Sequence, residues 1–249
     1  MDLSPEAFSA ACEKAAARPL DCTDIGRLGE KILHASLKLY LEPDTQKHER
    51  KIESFVADIV NETGVIEIQT RSFEKLRNKL TAFLEAGPVT VVYPLAAIKW
   101  ISWLDTQTGQ ISAKRKSPKR GVIQDIFFEL YKIKSLILHE NFRLCILLLE
   151  VEDLRTLNGW SADKKKGSSR HDRFPVQFLD ICFFNELRDY KLFVPESLPE
   201  TFTVKDYQKA CKISLRQAGH ALNVLRYVKA VKQAGKFGRA FLYTRINDE

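Results

Sequence analysis

Along residues 23–40 the apolar side chains Ile25, Leu28, Ile32 and Leu39 recur at the spacing of one helical face, which predicts a helix. A shorter helix is predicted over 4–17, where Ser4-Pro5 sets an N-cap residue before a proline at the first helical position. Alternation then takes over. A strand near 46–52 is followed by two β-rich runs, 56–60 and 65–70, around Asn61-Glu62-Thr63-Gly64, which reads as a short hairpin. Residues 72–85 return to helical character and Gly87-Pro88 ends them. "VTVVYP" (89–94) reads as a buried strand. "IKWISWL" and "QISAKRK" flank 105–109 as a second hairpin, and a helix over 122–138 leads to the apolar strand "FRLCILLLEV" at 142–151.

The stretch 161–173, "SADKKKGSSRHDR", is polar, basic and aperiodic, and reads as a linker or loop. Beyond it come a helix at 203–211, a turn at Ile213-Ser214, a helix at 215–228 and two strands around a glycine-containing tip within 231–246. Helix, turn, helix and basic hairpin is the order of a winged helix-turn-helix. The predicted fold class is therefore α/β, with one domain over 1–160, a linker over 161–175 and a winged-helix domain over 176–249.

The first hairpin raises a chemical question. Pairing Val60 with Val65 across the turn sets Asp58 opposite Glu67, and like charges directly opposed destabilise a sheet. Alternation also puts Gln69 on the face that carries Glu67. A third acid, Glu30, shares a helical stripe with Leu33 and Leu37, a side that should face protein and so demands a partner. A divalent cation would settle all three carboxylates, and hard oxygen ligands suit Mg2+.

A helix bearing Glu30, three strands with Asp58 and Glu67-x-Gln69 on the second and third, then a helix and a strand: this order resembles the PD-(D/E)XK nuclease superfamily over roughly residues 23–94. The resemblance implies a restriction-endonuclease-like αβββαβ core hydrolysing phosphodiester bonds. It implies Mg2+, for which Mn2+ would substitute, held by Asp58, Glu67, the Ile68 carbonyl and Glu30, the last through a water. Catalytic roles fall on Glu30, Asp58, Glu67 and Gln69. Gln69 stands where the family pattern has lysine and cannot supply its charge. Lys75, Lys79 and Arg71 are the candidates to do so.

Charge adds a second theme. The chain of 249 residues carries a net +7. From Lys205 to Arg239 there are nine Lys and Arg against one Asp, a net of +8, so the rest sums to −1. A nearly neutral body with a basic end suits a polyanion. In the second winged-helix helix, Leu215, Ala218, Leu222 and Leu225 form the apolar stripe, leaving Arg216, Gln217 and Asn223 for base edges. Lys236 and Arg239 at the tip would reach phosphates. Lys114, Arg115, Lys116, Lys119 and Arg120 form a run that either grips phosphates or is a solvated turn. The alternative is a packed second helix in a module that docks a protein; the charge favours DNA.

Five scattered cysteines without a CxxC pair read as reduced thiols, and no histidine spacing suggests zinc. No apolar run reaches membrane-spanning length, so a soluble cytoplasmic protein is expected. The function read from the chain is a metal-dependent DNA endonuclease. Its expected partners are DNA, a second copy of the chain for double-strand cleavage, and a protein of a mobile element or defence system. The alternatives are an inactive nuclease-like DNA-binding scaffold, or a structure-specific or RNA nuclease whose winged helix docks a protein.

Overall fold

The computed structural model describes residues 2–17, 32–156 and 167–246. Helix α1 (Pro5–Ala16) starts where expected: the Ser4 hydroxyl accepts the Ala7 N–H at 3.1 Å, with Pro5 following. Helix α2 (Ile32–Leu41) covers the second half of the helix predicted over 23–40. Ile25, Leu28, Glu30 and Cys22 lie outside the described residues.

A 3-10 turn at Thr45–Lys47 leads into β1 (His48–Ile52), β2 (Phe55–Asn61) and β3 (Gly64–Ile68), an antiparallel meander. A 3-10 turn (Phe73–Leu76) and α3 (Arg77–Ala86) then cross to β4 (Val89–Leu104), which lies parallel to β3. Next come the short β5 (Arg115–Lys116), a 3-10 turn (Ile123–Ile126), α4 (Phe127–Leu130) and two more 3-10 turns. Strands β6 (Phe142–Thr156) and β7 (Ser169–Phe184) complete a seven-stranded mixed sheet of order β1-β2-β3-β4-β6-β7, with β5 beside β4. The protein is thus a mixed α/β fold.

Three expectations change. Residues 89–94 and 98–104 are one strand of 16 residues, because β6 pairs with β4 along its whole length; the pairing slips once between Ala96 and Ile98. The helix expected over 122–138 is a chain of short turns. The polar stretch expected to link two domains belongs in part to the sheet: residues 169–175 are strand, paired to β6, while 157–166 lie outside the described residues.

The two faces of the sheet are covered differently. Helices α1 and α2 bury Phe8, Leu33, Leu37 and Tyr40 against Ile59, Ile66, Ile68, Val92 and Leu147. On the other face Leu80, Phe83, Phe127, Leu130 and Ile133 pack on Val65, Val91, Leu144 and Ile146. That second core continues into a C-terminal unit of a 3-10 stretch (Leu187–Phe193), β8 (Thr201–Phe202), α5 (Val204–Cys211), α6 (Leu215–Tyr227), β9 (Val231–Phe237) and β10 (Ala240–Arg245). Its three strands form a separate sheet of order β8-β10-β9. Helix α5 is closed by a capping box between Thr203 and Asp206, and α6 is capped by Ser214. No helix among the described residues is long and apolar enough to cross a membrane.

Candidate functional site

The hairpin pairs in the expected register, with Asn61 opposite Gly64, Val60 opposite Val65 and Ile59 opposite Ile66. Beyond Ile59 the carboxylates take over from the ladder. Asp58 Oδ2 accepts the Ile68 backbone N–H at 2.8 Å, and the Asp58 N–H approaches Glu67 Oε2 at 3.4 Å. Each acid therefore satisfies backbone of the opposite strand, while the two charges lie side by side.

A lysine and a histidine answer them. Lys79, projecting from α3, donates to Glu67 Oε1. His34, on α2, sets its Nε2 3.3 Å from Asp58 Oδ2. Glu67 is almost completely buried, at 3% exposure. Burial, with the Asp58 charge beside it, pushes its carboxyl up to about 7 despite the Lys79 contact. At Asp58 burial pushes the same way, but His34, the Ile68 N–H and Lys79 outweigh it and hold the group below the usual carboxylate range.

Of the three candidates to replace the lysine missing at Gln69, only Lys79 touches an acid among the described residues; Arg71 and Lys75 are exposed. Gln69 is half-buried, and its backbone N–H donates to the Val92 carbonyl at 2.9 Å. His34 is not among the site residues the sequence predicts. The signal that could have found it is its position four residues after Glu30, one helical turn along the same stripe.

As a donor set for a divalent cation, the described residues offer two neighbouring carboxylates. They hold no group of three or more His, Cys, Asp and Glu side chains placed for a metal, and Glu30 lies outside them. Two neighbouring carboxylates are hard oxygen donors of the type that binds Mg2+, which often takes one or two of them with water and phosphate completing its shell.

The basic side chains go to different places. In α6, Gln217 is buried and its Nε2 donates to Asp125 Oδ1 at 2.7 Å. Asn223 Oδ1 accepts from Lys134 at 3.0 Å, the Arg216 guanidinium lies 5.9 Å from the centre of the Phe128 ring, and His220 packs on Phe128 and Tyr131. The side chains expected to read base edges are committed to the turns around α4, because the apolar faces of α6 and α4 close a single core. Lys236 and Arg239 sit at the exposed β9–β10 tip with Phe237, which is 77% exposed, and Lys236 stacks 5.0 Å from the Phe241 ring centre.

In the basic run, Arg115 and Lys116 form β5. Lys114 and Lys116 lie 5.6 and 5.5 Å from the Trp100 ring centre, and Lys114 approaches Glu152 at 3.8 Å. Lys119 and Arg120 are exposed.

Residues 31–185, which carry α2, the whole large sheet and the acid pair, match DUF8091, described as a domain of unknown function. The chain belongs to this family. An uncharacterised protein of Treponema pallidum (strain Nichols) is 29% identical over 221 residues, covering 86% of this chain and 84% of that protein. No solved structure matches. The DUF8091 region begins one residue before α2 and ends one residue after β7, so α1 and the C-terminal unit flank it. Asp58, Glu67, Lys79 and His34 all fall within DUF8091; Arg216, Gln217, Asn223, Lys236 and Arg239 do not.

Proposed function

We propose that this chain is a metal-dependent endonuclease acting on DNA, built on a restriction-endonuclease-like core with a C-terminal winged helix. The observation that carries the reading is the interlock of Asp58 and Glu67 with Lys79 beside them. A helix, an antiparallel meander of three strands, a helix and a parallel strand lead through α2, β1–β3, α3 and β4, the connectivity of the nuclease family resembled. In the C-terminal unit, α5, α6 and the β9–β10 hairpin follow winged-helix order.

Asp58 and Glu67 would hold Mg2+ or Mn2+, which when bound supplies Lewis acidity toward a phosphate oxygen and acidifies a water. The Gln69 amide, on the strand that carries Glu67, can orient a water or hydrogen-bond a phosphate oxygen. Lys79 contributes the positive charge that Gln69 lacks, from a helix rather than from the strand. With α6 docked on the body, contact of the C-terminal unit with DNA falls to the β9–β10 tip. One site per chain cuts one strand, so double-strand cleavage calls for two copies.

A second reading, an inactive nuclease-like DNA-binding scaffold, is favoured by the direct Lys79–Glu67 bond, which occupies an oxygen a metal would use. Duplex cleavage assayed with Mg2+ and Mn2+ separates the two. Wild type should cut, and Asp58→Ala and Glu67→Ala should cut at least ~100-fold more slowly while still binding DNA, as expected for loss of charge stabilisation at the reacting phosphate. Wild-type rates in Glu67→Ala would refute the site, and no cleavage by wild type would leave the scaffold reading.

A further inference from the structure

The far ends of β4 and β6 run past the cores and, with the start of β7, form a three-stranded ledge. Lys99 stands beside Val151, Ile101 beside Asp153 and Trp103 beside Arg155; across the next pairing Asp153 meets Arg173 and Arg155 meets Arg170. Asp153 and Arg155 share the β6 face that, nearer the body, buries Leu149 and Val151 under the N-terminal helices.

One carboxylate serves this group. Asp153 is 4% exposed and is gripped by Arg173 through Nε at 2.6 Å and Nη2 at 3.1 Å, with Arg170 at 4.0 Å. Among the described residues no other carboxylate comes within ion-pair distance of Arg170 or Arg173, and none reaches Lys99 or Arg155. The buried Arg155 Nε has no hydrogen-bond partner among the described residues. Burial, together with the neighbouring cations, holds Lys99 and Arg170 below their ordinary values.

A buried guanidinium N–H without an acceptor is costly, and a group of arginines that outnumbers its one carboxylate suits an anion with several oxygens. Arg71, three residues beyond β3, lies near enough for its charge to act on Arg170. The ledge therefore lies on the side toward which β3 delivers Gln69. From Val91, beside Glu67, to Lys99 the strand advances roughly 25 Å, about seven base pairs of duplex.

We propose that Lys99, Arg155, Arg170 and Arg173 form a phosphate-binding subsite that holds the backbone of a nucleic acid several nucleotides from the acid pair. The identity of the polyanion rests on the nuclease reading; the anion site rests on the ledge alone.

The test uses the full chain in EDTA, with anisotropy of a labelled duplex of roughly 30 base pairs between about 50 and 200 mM salt. Arg155→Gln and Arg155→Gln/Arg170→Gln should bind at least ~10-fold more weakly at the low-salt end, and the salt slope should shrink by about one unit for each phosphate no longer held. Thermal midpoints should stay level or rise, because repulsion is relieved, and Arg155→Lys should retain most of the slope. Unchanged affinity and slope in the double variant would overturn the subsite. So would loss of binding to phosphatidylglycerol vesicles with duplex binding intact, which would assign the ledge to a lipid surface. Cleavage keeps the two proposals apart. If wild type never cuts but the variants lose duplex binding, the nuclease reading fails and the subsite stands. If wild type cuts and the variants bind and cut as it does, the reverse holds.

Discussion

Glu67 is the residue on which most forces converge. Its carboxyl is buried, lies beside Asp58, and is answered by Lys79. In the unfolded chain it would titrate near 4.5, and in the fold it is raised to about 7. Between those values the folded state holds the proton more tightly, so the stability Glu67 contributes falls as pH rises through that window. Asp58 acts in the opposite sense. Its folded carboxyl lies below the ordinary 3.8, so its contribution is present above that value and is lost as pH falls through the lowered one. Removing the Lys79 charge should therefore hurt most where Glu67 is ionised. Lys79→Met is expected to cost on the order of 3 kcal/mol at pH 8 and clearly less at pH 5, measured by urea unfolding in EDTA. Glu67→Gln should flatten the decline between the two pH values. An equal loss for Lys79→Met at both would mean that the pair is not coupled as described.

Among the elements, the first hairpin presents both acids, and its tip is tied down. Gly64 has φ +113° and a Cβ there would lie 2.2 Å from the Pro88 carbonyl oxygen, while the Val65 N–H donates to that same oxygen at 2.8 Å. Gly64→Ala should destabilise by roughly 1–3 kcal/mol through backbone strain and overpacking, with a lowered thermal midpoint as the readout. A neutral outcome would show that the tip is not held against the 87–88 turn. This hairpin was legible from sequence because a period of two and a four-residue turn leave one register that buries Ile59 and Ile66. Elsewhere local signals misled. Ile126, Phe127, Leu130, Ile133 and Ile137 are buried at the spacing of a helical face, yet the chain carrying them breaks into α4 and flanking 3-10 turns. Pro94 looked like the end of a strand, yet β4 continues because β6 pairs beside it on both sides of that residue. Strand β7 begins with Ser169, Arg170, His171, Asp172 and Arg173, where an ion pair to Asp153 takes the part usually played by apolar alternation.

For the whole molecule, the decisive relation is between the large sheet and the C-terminal unit. Residue types suited to base edges, Gln217 and Asn223 among them, are equally suited to protein acceptors and donors. Only the fold shows that Asp125 and Lys134 stand in front of them. The core that begins at Val65 and Leu144 runs through Phe127, Ile133 and Phe193 to Tyr207, Leu222 and Leu225 without a polar break. Linked units with separate cores unfold in steps, whereas units that share one core should unfold together. Leu222 is 1% exposed at this junction, and Leu222→Ala should remove about 2–5 kcal/mol. Calorimetry should then show one transition moved down as a whole, and tryptophan fluorescence, to which Trp100 and Trp103 of the large sheet contribute, should shift by the same amount. If instead a low-temperature transition splits off while the fluorescence midpoint stays put, the C-terminal unit is an independent body. In that case α6 could leave the turns around α4 and offer Arg216, Gln217 and Asn223 to a groove after all.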